Sequence, residues 1–336
     1  MLACYDGNLS CRGGNKLSVI ISKGSDMTSI CLVRGAFFGA LILSFGAIPA
    51  IAADDSAGTT PLKAPRMLFV TQSLGFKHSA VTRRPEQMST AERAVTDWGV
   101  SSNLYRTDCS QDIAKDLTKE NLQNYDIVMF YTTGDRDKWP TDEATLDYFL
   151  NDWLKQKGHG FVGVHSATDT LKDYKPYWDM VGGTFNDHPW TANSKVTVVV
   201  NDPDHPVCKP WGSEFTITDE IYQFKNWQPE KTHVLMSLDI GRSLFNADIK
   251  RRIREPYHVP IAWCKQIGDG RMFHMSLGHN ESTWADERFR DSMLGGIIWI
   301  LGRAPGDATP NPAVSAAQLE KGKADVAAKI AELSAQ

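Results

Sequence analysis

Two short runs constrain this chain more than anything else in it: residues 127–133 (IVMFYTT) and 160–164 (GFVGV). Each is apolar at consecutive positions. Successive side chains of a strand point to opposite faces, so a strand built from either run must be covered on both sides. Strands of that kind belong to parallel sheets sandwiched between helices. The neighbouring segments alternate as such a sheet requires. Residues 67–71 predict a first strand, 91–98 a helix and 100–106 a second strand. Residues 143–157 have helical periodicity, with Leu146, Phe149, Leu150 and Trp153 on one face.

The second half reads differently. Residues 196–200, 215–217, 233–238, 261–266 and 272–277 predict strands with short connections, and Gly268-Asp269-Gly270 marks a hairpin between the last two. Residues 288–301 predict a closing amphipathic helix. The expected fold class is α/β: a flavodoxin-like parallel sheet with helices on both faces and antiparallel strands added in the second half, all within residues 66–303. Residues 304–336 form a tail or helix, and 314–333 in particular read as a solvated helix or a frayed end.

The N-terminus has the layout of an export signal. The apolar run 36–48 is too short to span a bilayer, Arg34 precedes it, and Ala50-Ile51-Ala52 offers small residues for cleavage after Ala52. The alternative is an uncleaved anchor helix. Residues 1–26 read as an over-extended start before Met27, and 53–65 as a linker. The expected location is periplasmic or secreted, with no stable membrane span after processing. Without 1–52 the chain carries a net charge of −6 and has no Lys/Arg cluster, which argues against nucleic acid as a partner. Cys109, Cys208 and Cys264 have no metal-like spacing, and no essential disulfide is expected.

Open α/β sheets bind ligands beyond the carboxyl ends of their strands. There the sequence places Gly75-Phe76-Lys77-His78, Thr132-Thr133-Gly134-Asp135, His165-Ser166-Ala167-Thr168-Asp169 and Gly278-His279-Asn280. Three of the four sites hold a histidine. Gly163-Val164-His165-Ser166-Ala167 resembles a nucleophile elbow, in which a sharp turn lifts one side chain above the sheet. Histidine occupies the lifted slot, which disfavours acyl transfer and suits metal ligation or proton transfer. The plainer alternative is a histidine that only hydrogen-bonds neighbouring loops.

Five blocks in order, GFVGVHSATDT (160–170), YWDMVGGTFNDHPW (177–190), DPDHPV (202–207), DEIYQF (219–224) and GDGRMFHMSLGHN (268–280), resemble the ThuA-like (trehalose utilisation) family. The resemblance implies a fold related to class I glutamine amidotransferases and a link to sugars or oxidised (3-keto) sugars. Of the adjacent acids Asp219 and Glu220, extended backbone sends only one into a given site, and the family pattern favours Glu220. Pro189 holds His188 extended.

His78, His165, His188, Glu220 and His279 are expected to converge on one cleft, where imidazole nitrogens plus one carboxylate suit a divalent metal, zinc or a similar first-row ion, with the four histidines as its candidate ligands. Glu220 and His165 are candidate catalytic residues. Trp190, Asp169 and Ser166 are candidates for holding a small-molecule sugar. No nucleotide cofactor is expected. His205 reads as a turn residue, His274 as a satisfied core or edge residue, and Arg271 as a partner for a buried acid. Three readings remain open: a metal-assisted enzyme on sugar derivatives, a non-catalytic carbohydrate-binding protein, and an amidotransferase-like enzyme. A polar cleft without metal is the alternative to the metal site.

Overall fold

The two-faced strands become the middle of one sheet. The computed structural model describes residues 64–336, which lie in one compact unit. The expected leader and nearly all of the expected linker lie outside the described residues. Eleven strands are present among them: β1 (Arg66–Val70), β2 (Arg106–Ser110), β3 (Ile127–Phe130), β4 (Gly160–Val164), β5 (Thr184–Trp190), β6 (Lys195–Val200), β7 (Glu214–Thr218), β8 (Ile221–Lys225), β9 (His233–Asp239), β10 (Pro260–Ile267) and β11 (Gly270–Met275). Nine form one sheet in the order β2-β1-β3-β4-β11-β10-β9-β6-β7, and β5 pairs with β8 apart from it. Strands β2, β1, β3, β4 and β11 run parallel, and β10, β9, β6 and β7 extend the sheet by antiparallel pairing. The parallel part is the flavodoxin-like order 2-1-3-4-5, with β11 as its fifth strand.

Alternation along β1 shows how the sheet is covered. Met67 and Phe69 join one apolar cluster, with Val95 and Trp98 of the helix Thr90–Ser102 and Met293 and Ile297 of the helix Glu287–Ile300. Leu68 and Val70 join the opposite cluster, with Phe149 and Trp153 from the helical segment after Glu143 and Tyr177 from the helix Lys175–Val181. Both faces of the sheet are thus dry, as strands without polar alternation require.

Two expectations are corrected, and one pair of strands was not foreseen. The strand expected over 100–106 is not one. The helix runs on through Ser102, whose hydroxyl bonds back to the Trp98 carbonyl, and Asn103 closes it in the left-handed conformation (φ 54°). Strand β2 begins later and pairs only with β1, so its sequence RTDCS carries no apolar run to betray it. The small β5–β8 pair was not foreseen. Its ladder is broken by register shifts and it contains Pro189, which a strand with a free edge tolerates. Finally, the C-terminal segment is a helix, as one of the two readings had it, but it is not wholly solvated. The helix Pro312–Ala335 buries Val326 in the core, Asp325 accepts from the Gly241 backbone N–H (3.1 Å), and Lys321 reaches Asp239 (3.1 Å). No described helix is long and apolar enough to cross a membrane.

Candidate functional site

The carboxyl ends of β1, β4 and β11 lie on one edge of the parallel sheet, with β3 between β1 and β4, and each is followed by a histidine of interest. After β4 the chain turns sharply. His165 takes a left-handed conformation (φ 43°), the strained backbone of an elbow, and its ring is fully buried. Gly163 makes room for this turn, because a Cβ there would sit 2.5 Å from the His274 ring and 3.3 Å from Ala167 Cβ. His165 Nδ1 lies 2.9 Å from the Ser276 carbonyl oxygen. A carbonyl only accepts, so Nδ1 carries the hydrogen and Nε2 is the nitrogen that faces inward. Fixing one imidazole nitrogen on a backbone carbonyl so that the other is a free donor is the usual support of a metal-ligating histidine.

After β11 the loop turns at Gly278 (φ 118°), which brings His279 over the elbow. The Gly278 carbonyl is held by Tyr131 Oη (3.0 Å) and by Trp284 Nε1 (2.9 Å). The loop is fastened further by Asp219, which is wholly buried. One Asp219 oxygen accepts from Gly278 N (2.8 Å) and Thr283 Oγ1 (3.1 Å), the other from Asn280 N (2.9 Å) and Glu220 N (3.1 Å). Burial pushes the Asp219 carboxyl above its ordinary range. Asp219 and Glu220 do point opposite ways. Asp219 braces the loop, and Glu220 faces the imidazoles.

Glu220 Oε2 lies 3.0 Å from His279 Nδ1 and 3.4 Å from His165 Nε2, while Oε1 lies 2.9 Å from His188 Nδ1. Burial raises the Glu220 carboxyl, but the three imidazoles outweigh it and hold the group well below the usual carboxylate range. For His279, burial opposes the charged form and Glu220 overrides it, so its pKa is raised. His78 completes the group from the loop after β1. Its Nε2 lies 3.3 Å from Tyr222 Oη, and its Nδ1 is buried without a hydrogen-bond partner. Burial first, then the neighbouring His165 and His279, push its pKa down to about 2, which keeps its ring neutral.

These four residues offer three nitrogens and one carboxylate oxygen, all within 4.8 Å of one another. His165 Nε2 is 3.2 Å from His279 Nδ1, so three of the donor atoms are spaced 3.0, 3.2 and 3.4 Å apart. Neighbouring ligands of a tetrahedral zinc ion, bound at about 2.0–2.1 Å, stand about 3.3–3.4 Å apart. A nitrogen lone pair 3.4 Å from an ionised carboxylate needs a proton or a cation between them. The donor chemistry, the spacing and the orphaned His78 nitrogen all fit a first-row divalent ion.

His188 stands outside this group, on β5. It touches the far oxygen of Glu220, and its side chain is 40% exposed, against 20% for His279. The expected four-histidine set thus differs from the gathered one, in which Glu220 takes the place of His188. Trp190 is a correction. It is fully buried, with its Nε1–H donated to the Leu244 carbonyl, so no sugar can stack on it. Ser166 is also buried, and its Oγ has no partner. Asp169 pairs with Lys172, which also approaches Asp135 (3.4 Å).

His205 does brace a turn, accepting from Val207 N at Nδ1 (3.3 Å). His274 is corrected: it is buried with both ring nitrogens unpartnered, stacked on Trp263. Arg271 bonds to the Trp299 carbonyl and covers its ring instead of pairing with an acid. Cys109, Cys208 and Cys264 are free thiols. A groove of about 730 Å³ between the helix Thr90–Ser102 and the turn Glu281–Trp284 includes Ser79 and Glu281 in its lining, but none of the four clustered residues.

A family model described as ThuA, trehalose utilisation, matches residues 66–300. Among solved structures, a ThuA-like protein from Bacteroides uniformis is similar with a TM-score of 0.53 and 22% identity, covering 80% of this chain and 100% of that one. A ThuA-like protein from Parabacteroides merdae gives a TM-score of 0.53 at 15% identity, covering 73% and 93%. At these identities the likeness concerns the fold. No curated protein matches the sequence.

Proposed function

This chain belongs to the ThuA family, and from that premise we propose that it is a metal-assisted enzyme acting on sugars or oxidised (3-keto) sugar derivatives. The carbohydrate part rests on the family's description as trehalose utilisation. The metal part rests on one observation: donor atoms from four distant stretches of sequence, His78, His165, Glu220 and His279, come within 4.8 Å of one another. His78, His165, Glu220 and His279 would hold a zinc or similar ion, which would supply Lewis acidity toward a carbonyl, hydroxyl or water oxygen.

The chain's own residues do the rest. Ser276 and Asp219 orient His165 and the His279 loop through the bonds described above. Tyr131 and Tyr222, both buried, wall the rings of His78 and His165 from water. His188 keeps part of its ring open to solvent, and its Nδ1, buried 2.9 Å from Glu220, is placed to hold or pass a proton. Glu220, ionised, balances charge at the centre. Asp169 and Lys172 supply a polar pair beside it. The elbow holds an imidazole, so the arrangement does not favour amidotransferase-like acyl transfer.

The test is turnover by the purified, metal-loaded protein on a panel of glucosides and 3-keto-glucosides. Turnover of at least one, lost in Glu220→Ala, is the expected result. Binding without turnover across the panel replaces the enzyme with a carbohydrate-binding protein of the same fold. Export, proposed from residues 34–52 alone, is checked by N-terminal sequencing of the mature protein from a cell fraction. A mature chain beginning at Ala53 is expected.

A further inference from the structure

Phe76 is an exposed aromatic side chain held by a rigid backbone beside the cluster. It is 65% exposed, more than any other large hydrophobic residue described. Its ring stands edge-on to the ring of His78, centroids 4.9 Å apart and planes at 77°. Its backbone is not loose. Thr133 Oγ1 donates to the Phe76 carbonyl (2.9 Å) and accepts from Gly75 N (3.0 Å), and Leu74 N bonds to the Thr133 carbonyl (3.0 Å). These bonds tie the loop after β1 to the end of β3, at the point where the order of the parallel strands reverses. A phenyl group in water forgoes the gain of burial, and here the fold fixes it in place instead of letting it collapse onto the core. On the far side of the cluster, His188 stacks near Phe185 (6.0 Å, 28°), and Lys172 lies over the Phe185 ring (5.9 Å).

We propose that Phe76 is a substrate-binding residue: its exposed ring receives the C–H face of a pyranose and thereby selects ring sugars over acyclic polyols. The inference deepens the carbohydrate reading above and rests on it. A pyranose has an apolar face lined by C–H groups and a rim of hydroxyls. The apolar face suits an aromatic ring, and the hydroxyl rim suits the histidines, Glu220, Lys172 and Asp169. An acyclic polyol carries the same hydroxyls but no fixed apolar face. Stacking on a single ring, now assigned to Phe76, takes the sugar-holding role expected of Trp190, which lies buried in the core.

The test compares methyl glucopyranoside with glucitol as ligands for the full-length, zinc-loaded protein, by saturation-transfer NMR and titration. The native protein should bind the glucoside and prefer it to glucitol. Phe76→Ala should weaken glucoside binding by about tenfold and abolish the preference, with metal content unchanged. Phe76→Trp should keep it. Equal glucoside binding by native protein and Phe76→Ala overturns this inference and leaves the carbohydrate reading standing. If the native protein binds neither ligand while holding its metal, the carbohydrate reading and the inference fall together.

Discussion

Asp219 uses both carboxylate oxygens to hold four donors, three from the loop and turn after β11 and one from Glu220. None of its atoms belongs to the gathered donor set, yet it fixes where His279 and Glu220 sit. Supports of this kind typically govern metal affinity by about 10- to 100-fold. Asp219→Asn keeps the shape but turns an amide NH₂ toward backbone N–H groups. It should weaken metal binding by about that factor, with an unchanged circular dichroism spectrum; an unchanged affinity would remove Asp219 from the site's support. The same residue shows what sequence could reveal. The alternation of extended backbone correctly separated Asp219 from Glu220, but it could not say that the residue facing away was bracing the loop that carries His279. Trp190 fails for the converse reason. Two positions from His188, it was placed near the site, but the register shift between Asp187 and Trp190 breaks the alternation that would keep the two on one face, and Trp190 turns into the core.

The helix Thr90–Ser102 illustrates how one element is tied to the sheet beneath it. Ser89 and Glu92 form a reciprocal capping box, and Glu92 also accepts from Thr71 Oγ1 (2.5 Å) and from Arg83 (2.8 Å). Burial raises the Glu92 carboxyl, but Arg83, Thr71 and the Ser89 backbone outweigh it, so its pKa falls below the ordinary value of 4.5. A carboxyl whose folded pKa is depressed contributes stability above its unfolded pKa and loses it as pH falls through the folded one. Stability should therefore drop as pH falls below about 4.5, and Glu92→Gln should flatten that acid limb. Glu92→Ala should cost about 1–3 kcal/mol at neutral pH in denaturant unfolding. A variant as stable as the native chain, with the same acid limb, would contradict the assignment. Elements with strong patterns were legible: β3, β4 and the helices around them follow from apolar runs and periodicity. Strand β2 was not, because a polar edge strand has no burial pattern to announce it, and the β5–β8 pair was not, because its ladder is short and broken by register shifts.

At the scale of the molecule, the parallel core sets the histidines at its carboxyl ends, and the antiparallel strands and C-terminal helix close it from the side. That helix lies so near that a Cβ on Gly322 would come within 2.2 Å of the Tyr257 carbonyl oxygen. Gly322→Ala should push the helix away and cost about 1–3 kcal/mol, seen as a lowered Tm without loss of metal. An unaffected Tm would mean the helix is not docked as described. The docking was hidden in a segment rich in Ala and Lys with few apolar positions, of which Val326 is buried. The convergence of His78, His165 and His279 was legible from the rule that open sheets bind ligands at strand ends, and that of Glu220 from the family pattern, whereas the peripheral place of His188 depended on side-chain directions that no strand pattern encodes. The claim on which all else depends is that these residues form one metal centre. Metal analysis of the purified native chain and of a His165→Ala/His279→Ala variant tests it most directly: about one divalent ion per chain in the first and essentially none in the second is predicted, and full occupancy in the variant, or a native chain that takes up no ion when offered zinc, would contradict it.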